Sequence, residues 1–244
     1  MKIANYLIKP FFSILVISSF SLVINAQEIS AVIEDIIVTA EKRTESLQDL
    51  SQAVTVLTSD DLDKKQISTF VDISAIAPGV NVAKNEGFKT VITIRGVGYE
   101  TNQNAIATPS VSYHLDGIYI ASPYSLQTEF MDLERIEVLR GPQGTLFGQN
   151  STGGAINVIT SAPSLEESSS YGDITIGDYS LIKTRASFNR PLSETLAVRA
   201  SFITHKRDGF TDNLSTGQDL DDADSISARI RFLYQPSDTF RANF

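Results

Sequence analysis

The side chains best suited to chemistry are few in this sequence and form no catalytic pattern. Cysteine is absent, which excludes disulfide scaffolds, thiolate zinc sites and cysteine nucleophiles. The two histidines, His114 and His205, lie far apart, and no serine can be identified as a triad partner for His114 and Asp116. We therefore predict a structural role for His114 in a hairpin. No enzyme class has a constellation of residues behind it, and the sequence predicts no cofactor.

Two stretches look like ligand loops but lack the required spacing. The first holds four acids close together, and it lacks the central glycine and final glutamate of an EF-hand; these acids are Asp219, Asp221, Asp222 and Asp224. The second, RGPQGTLFG, is rich in glycine but is not followed by the Gly-Lys-Ser or Gly-Lys-Thr of a phosphate loop. The first predicts a solvated loop and the second tight turns. We predict no metal site.

Charge and the N-terminus together predict an exported protein. The net charge is -9 with a pI near 4.7, which argues against nucleic-acid binding because phosphate contacts need a basic face. Lys2 and Lys9 precede an apolar run from Phe11 to Ile24, as in a secretory signal peptide cleaved after Ala26. A membrane-spanning helix needs about 20 apolar residues, more than this run offers. Cleavage would leave 18 basic against 29 acidic residues, a charge of -11.

Residues 27–46 are predicted to form a short, polar, flexible arm with one apolar patch. Within EDIIVTAEKR, four consecutive β-branched residues run from Ile36 to Thr39, and such residues favour extended backbone. This patch suits addition of a strand to the sheet edge of a partner, where main-chain hydrogen bonds supply the affinity. It equally suits the first strand of the domain that follows, and the residues alone do not decide between the two.

Residues 47–163 follow the pattern of a compact α+β domain. A strand from Gln52 to Thr58 leads into capping residues and a first helix. A second helix begins near Ser68 or Thr69 and ends at Pro78-Gly79. The further predicted strands are Thr90–Arg95, Ser110–Leu115, Ile118–Ile120, Glu134–Leu139 and Ala155–Thr160. The loops Gly96–Pro109 and Ala121–Asp132 are polar and contain tyrosines, a composition suited to binding.

Residues 164–244 show strict alternation of apolar and polar side chains. Strands of about ten residues, with short turns on one side and a long acidic loop from Asp208 to Asp222 on the other, are typical of a transmembrane β-barrel. A soluble antiparallel sandwich is the alternative. Only four strands and the start of a fifth fit, and an open barrel edge cannot lie in lipid. We therefore expect the sequence to be truncated, although the final Phe244 is also typical of complete outer-membrane proteins.

Four motifs closely resemble the family of TonB-dependent outer-membrane receptors. The longest is LERIEVLRGPQGTLFGQNSTGGAINVIT, from Leu133 to Thr160; the others are TIRGVG, SVSYHLDGIYI and IAPGVNV. The resemblance implies an α+β plug domain, with a small mixed sheet and short helices, followed by the first antiparallel strands of a transmembrane β-barrel. It implies residence in the outer membrane of a Gram-negative cell, in contact with its lipid. The expected division is signal peptide 1–26, periplasmic arm 27–46, plug 47–163 and barrel strands 164–244.

The resemblance also implies partners. EDIIVTAEKR falls where the family carries its TonB box, so TonB, with its inner-membrane energising complex, is the expected partner; the TonB-binding residues would be Asp35, Ile36, Ile37, Val38 and Thr39. The expected activity is TonB-dependent uptake of a scarce ligand, foremost an iron–siderophore complex. Cobalamin, haem, nickel complexes and glycans are the other ligands. A passive porin or adhesin and a receptor that also signals inward are the alternative functions.

Two sets of candidate contacts follow from this reading. Tyrosines bury a large area at low entropic cost, and Arg95 can meet an anionic ferric complex or pair with an acid inside the plug. The candidate ligand-binding residues are Arg95, Tyr99, Asn102, Gln103, Tyr124 and Gln127.

The predicted strand that begins at Glu134 carries charged residues for which a polar barrel lumen would offer partners, unless the strand is simply solvated. The predicted plug–barrel contacts are Glu134, Arg135, Glu137 and Arg140.

Overall fold

The computed structural model describes residues 37–38, 45–46, 48, 52–85, 89–98 and 108–244. The predicted signal peptide, residues 1–26, lies outside the described residues. Strands are numbered β1 to β17 and α-helices α1 to α3 in chain order. Among the described residues, no helix is both long and apolar enough to span a bilayer.

A five-stranded mixed sheet forms the centre of an α+β domain. Its order is β3-β9-β10-β7-β8, and all neighbours are antiparallel except β10 and β7, which are parallel. The strands are β3 Val54–Thr58, β7 Val111–Leu115, β8 Ile118–Tyr119, β9 Leu133–Arg140 and β10 Gly154–Thr160. The predicted mixed sheet is confirmed.

Short helices pack against this sheet, and local sequence explains where they begin. In α1, Ser59–Lys64, the Thr58 side chain accepts from the Asp61 backbone N–H while the Asp61 carboxylate accepts from the Thr58 N–H, which is a capping box. α2, Phe70–Ile73, begins with an equivalent box. α2 is shorter than predicted, since turns replace it before Pro78. A 3-10 helix covers Pro123–Gln127, and α3 covers Gly144–Phe147.

A second small sheet completes this domain. It contains β4 Val80–Asn85, β5 Lys89–Ile94 and β6 Val97–Gly98 in antiparallel order. The strand β4 was not predicted. Its apolar side chains join those of the helices and the central sheet in one core, whose fully buried members include Phe70, Ile73, Ile94, Ile136 and Ile156.

Residues after Pro163 form a separate long antiparallel sheet. Its order is β11-β12-β13-β16-β17, and its strands are β11 Ser169–Gly177, β12 Leu181–Ser193, β13 Leu196–Arg207, β16 Ala223–Ser237 and β17 Phe240–Asn243. Four long strands and a short fifth agree with the prediction. The acidic loop carries a small hairpin of β14 Thr211–Asp212 and β15 Asp219–Leu220.

The two faces of the long sheet differ in polarity. The outer face exposes an apolar stripe in which Ile174, Ile176 and Ile226 are 69%, 79% and 74% exposed. The inner face carries polar and basic residues, among them Ser187, Asn189 and Ser201, which are buried, and Ser201 contacts Asp132 of the α+β domain. The alternation in sequence therefore separates a face that packs on the domain from one that does not.

Candidate functional site

Two of the predicted TonB-binding residues, Ile37 and Val38, form the first strand that the structure describes. β1, Ile37–Val38, pairs antiparallel with β2, Glu45–Ser46. The Val38 side chain is fully buried. It packs in a cluster with Leu139, Phe147 and Ala155. In this structure the strand is docked on the α+β domain; Asp35, Ile36 and Thr39 lie outside the described residues.

Glycine permits close packing at the start of β10, next to the residues that contact Val38. A Cβ atom on Gly154, at the start of β10, would lie 2.4 Å from the Leu139 carbonyl oxygen and 2.8 Å from Ile94 Cδ1. Gly154 also has a φ of +151°, which other residues rarely adopt. Glycine therefore lets β9 and β10 approach closely at this position.

Arg95 lies at the turn between β5 and β6 and is exposed. Its φ is +53°, and its backbone N–H donates to the Gly79 carbonyl at 2.7 Å. Burial and the nearby charge of Arg95 lower the pKa of the Arg140 guanidinium below its usual value. The structure therefore brings two cations together at this end of the domain. Three other candidate ligand residues, Tyr99, Asn102 and Gln103, lie outside the described residues.

The second candidate ligand loop forms the 3-10 helix. Tyr124 and Gln127 both belong to it, Gln127 is exposed, and Leu126 is buried in the core. The helix packs on β5, the strand that leads to Arg95. The strand β5 therefore contacts the second candidate ligand loop and leads directly into the first.

The four predicted plug–barrel residues make their described contacts within the α+β domain. Arg135 pairs with Glu134, and its Nε lies 2.9 Å from Glu137 Oε1. Glu137 is fully buried and also accepts from Asn157 Nδ2 at 3.0 Å. Arg140 donates to the Pro78 carbonyl at 3.0 Å and to Thr55 Oγ1. Their role in contact with barrel strands stays a prediction.

The sequence did not single out Asp132, an acid that joins the α+β domain to the long sheet. The Asp132 carboxylate accepts from Arg199 Nη2 at 2.5 Å and Nε at 2.7 Å, and from Ser201 Oγ. Arg229 donates to the backbone carbonyls of Met131 and Asp132 at 2.7 and 3.0 Å. Burial opposes ionisation of Asp132, but the hydrogen bonds and charge of Arg199 outweigh it and hold the pKa below its ordinary value.

A second acid contacts the same sheet nearer its long loop. Glu129 Oε2 lies 2.6 Å from Lys183 Nζ on β12, and Glu129 Oε1 contacts His205 Nδ1 on β13. Glu129 precedes Asp132 by three residues, so one short segment makes both contacts. We call residues 129–132 the wall strap.

Further ion pairs and hydrogen bonds extend this contact along the sheet. Arg185 pairs with Asp63 of α1 at 3.0 Å and with Asp173 of β11 at 2.6 Å. Arg231 donates to the Thr160 and Ser161 carbonyls, both at 3.2 Å. The alternation of apolar and polar residues in the sequence already indicated that these basic side chains lie on one face, opposite the apolar stripe. What the sequence did not show was which acids would face them.

A cavity of about 230 Å³ lies between the α+β domain and β11–β13. Its lining mixes apolar side chains, such as Leu62 and Phe130, with ionised ones, such as Asp132, Arg185 and Arg199. The packing between domain and sheet is therefore incomplete on this side.

The family model described as TonB-dependent Receptor Plug Domain matches residues 46–155. The match runs from β2 into β10 and includes both candidate ligand loops. Residues 46–155 are a TonB-dependent receptor plug domain. The α+β domain is this plug, and the long sheet comprises the antiparallel strands that follow the plug.

Known relatives agree with this assignment. The pesticin receptor of Yersinia pestis is 31% identical over 204 residues, which cover 80% of this chain and 29% of that protein. The ferric enterobactin receptor PirA of Pseudomonas aeruginosa is 28% identical over 208 residues, covering 75% of this chain and 27% of that protein. The chain thus spans less than a third of the length of these relatives.

A solved structure shows the same fold. The ferric yersiniabactin uptake receptor FyuA from Yersinia pestis superposes with a TM-score of 0.67 at 24% identity, covering 77% of this chain and 29% of that one. The predicted plug domain followed by antiparallel strands is confirmed.

Proposed function

We propose that this TonB-dependent receptor takes up a scarce ligand across the outer membrane with energy supplied through TonB, and that the ligand is a ferric siderophore. The observation that carries the proposal is the plug held by ion pairs against the inner face of strands whose outer face is apolar. An occluding domain of this kind is needed where passage must be gated. A passive porin has no use for it, and binding with transport requires no covalent chemistry from the protein.

The outer face of the long sheet supports a location in lipid. Alternating strands with an apolar outer stripe and a polar, basic inner face follow the pattern of a transmembrane barrel. The stripe extends over neighbouring strands, with Ile182, Ile226 and Ile230 all more than half exposed. An apolar surface of this extent is stable in contact with lipid rather than water. Export would depend on the predicted signal peptide at residues 1–26, ahead of the arm at 27–46, the plug at 47–163 and the strands from 164.

TonB would bind β1, the strand whose Val38 side chain packs on Leu139, Phe147 and Ala155. Ile37 and Val38 are in extended backbone and, within the described residues, pair with Ser46 and Glu45 of β2. Addition of this strand to a sheet edge of TonB would exchange these main-chain bonds for bonds to the partner. Withdrawal of Val38 would expose Leu139, Phe147 and Ala155, so the strand and the plug core are mechanically connected.

The ligand assignment rests on charge and on relatives. Arg95 and Arg140 place two cations at one end of the plug, which suits an anionic ferric complex. A relative matching three quarters of this chain is a ferric enterobactin receptor. Cobalamin, haem and glycans remain the alternative ligands for the same mechanism.

The test is uptake by the full-length receptor in cells that lack their own receptors, with and without TonB. We expect a radiolabelled ferric siderophore to accumulate only when TonB is present, while binding occurs in both hosts. Cobalamin, haem and a glycan serve as comparison ligands. Equal accumulation without TonB would identify a passive pore, and uptake of cobalamin alone would overturn the iron assignment.

A further inference from the structure

The wall strap lies along β13 and contacts it at separate points. Asp132 contacts Arg199 and Ser201, whereas Glu129 contacts His205. These three β13 residues are on one face because they are spaced by even numbers of positions. At roughly 3.3 Å per residue, the contacts of Asp132 and Glu129 are about 13–20 Å apart along the strand. The strap is therefore held at two distinct places.

The contact at Glu129 uses both carboxylate oxygens. Lys183 and His205 are directly opposite each other on β12 and β13, and each approaches a different oxygen of Glu129. The side chains of Lys183, Glu129 and His205 are only 12%, 13% and 19% exposed. Because the Glu129 carboxylate is largely shielded from water, moving it away from Lys183 and His205 would leave its charge uncompensated.

Glu129 follows the 3-10 helix almost immediately. The helix ends at Gln127, and the Thr128 hydroxyl donates back to the Ser125 carbonyl at 3.0 Å. Phe130, on the other side of Glu129, is buried in the plug core, and its N–H donates to the Ser68 carbonyl at 2.8 Å. Glu129 therefore adds a contact with the long sheet to the core contacts of Leu126 and Phe130, right at the C-terminal end of this helix.

We propose that Lys183 and His205 are positioning residues for ligand binding. By contacting Glu129, they hold the 3-10 helix, which contains the candidate ligand residues Tyr124 and Gln127, close to the long sheet. The inference rests on the proposed function, since it assigns these strand residues to a ligand loop. The Asp132 contact has a different task. It retains Arg199, Ser201 and Arg229 when Glu129 is changed, so the plug stays attached to the sheet while the C-terminal end of the helix becomes more mobile.

The test measures the mobility of the 3-10 helix without any ligand. The 244 residues contain no cysteine, so Ser125→Cys, at an exposed position, takes a single nitroxide label in this part of the full-length receptor. In outer-membrane lipid vesicles we expect a broad, immobilised resonance line. Glu129→Gln, and Lys183→Met combined with His205→Leu, should each shift it toward the narrow line of a mobile label.

Two controls separate release of the helix from loosening of the plug. A label at Thr145→Cys, exposed on α3, should keep its line shape in the Glu129→Gln receptor. Asp60→Asn, which removes an exposed ion pair with Lys64, should leave the label at position 125 unchanged. The charge-reversed pair Glu129→Lys with Lys183→Glu should restore the immobilised line that Glu129→Lys alone loses.

An immobilised line at position 125 in both the Glu129 and the strand variants would overturn the inference. Loss of order at position 145 in the same variants would also overturn it, since the contact would then support the whole plug. Failure of the transport proposal is distinguishable, because it appears as absent TonB-dependent uptake in the unchanged receptor whatever the resonance line shows.

Discussion

The Asp132 carboxylate shows how one buried acid can join two parts of a chain. Its side chain is 9% exposed, which by itself favours the neutral form. Two nitrogens of Arg199 and the hydroxyl of Ser201 compensate for the lost water. The result is a charged group that is stable only while the plug and β13 stay together.

Asp132→Asn should weaken attachment of the plug to the sheet by about 3 kcal/mol, because it leaves the partly buried Arg199 without a counter-charge. The measurement is the urea concentration at which the plug of the full-length receptor becomes susceptible to protease. Asp60→Asn is the matched control, since its ion pair with Lys64 is exposed and such pairs contribute about 0–1 kcal/mol. Equal effects of the two variants would contradict the prediction.

The same carboxylate predicts a dependence on pH. The pKa of Asp132 is lower in the folded protein than its ordinary value of 3.8, so its stabilisation is fully present above that value. It should be lost as the pH falls below 3.8 through the folded pKa. Protease susceptibility should therefore rise with acidification in the unchanged receptor, and Asp132→Asn should reduce this rise.

Arg95→Ala should lower ligand affinity while leaving stability unchanged. Arg95 is exposed, and a charge-assisted hydrogen bond contributes about 1.5–3 kcal/mol, or roughly a 10- to 100-fold change in the dissociation constant. Equilibrium binding of the ferric siderophore measures it, with Lys84→Ala, an exposed base on β4, as the control. Full affinity together with a lower melting temperature would instead support a structural role for Arg95.

At the scale of elements, β1, the strand proposed to bind TonB, packs on the plug. Within the described residues, β1 pairs with β2 at two positions, and the buried Val38 side chain packs against Leu139, Phe147 and Ala155. Burying a valine contributes about 1.5–3 kcal/mol. Withdrawal of β1 from the plug would have to overcome this contact.

Ile37→Pro should abolish uptake and leave ligand binding intact. Proline removes a main-chain N–H and disfavours continuation of a strand, so addition to a sheet of TonB should fail. Binding and uptake of one ligand are measured together in the full-length receptor, with Ile37→Ala, which keeps the N–H, as the control. Loss of binding as well as uptake, or loss of neither, would count against a TonB box at this position.

At the scale of the whole molecule, the plug and the long sheet need different surroundings. Residues 47–163 have caps, turns and a core of their own, whereas the sheet has an apolar outer face and unpaired edges. The fragment 47–163 should therefore be soluble and monomeric, and residues 27–244 should aggregate or require detergent. Size-exclusion chromatography and circular dichroism make the comparison.

The structure adds a control to that experiment. The fragment 27–163 retains Val38, which covers Leu139, Phe147 and Ala155, so it should melt at a higher temperature than 47–163. A soluble, cooperatively melting monomer of residues 27–244 would show that the sheet needs no lipid. The proposed outer-membrane location would then fail.

Patterns of short range were readable from the sequence. The capping residues at Thr58 and Thr69 and the alternation after residue 164 act through neighbouring residues, so the helix starts and long strands were predicted near their observed places. β4 was missed because its short run, VNVAKN, follows a turn and becomes a strand through pairing with β5. The motifs from Leu133 to Thr160 were also sufficient to predict the family.

Contacts between distant residues were decided by the tertiary structure alone. The sequence placed bases on one face of the strands, but only folding showed that Asp132 and Glu129 meet Arg199 and His205, which are more than 65 positions away. The sequence also did not show that Arg135 of β9 would pair with Glu137 of the same strand. A charged side chain is satisfied by whichever opposite charge the chain path brings within reach, and that path depends on the packing of the whole molecule.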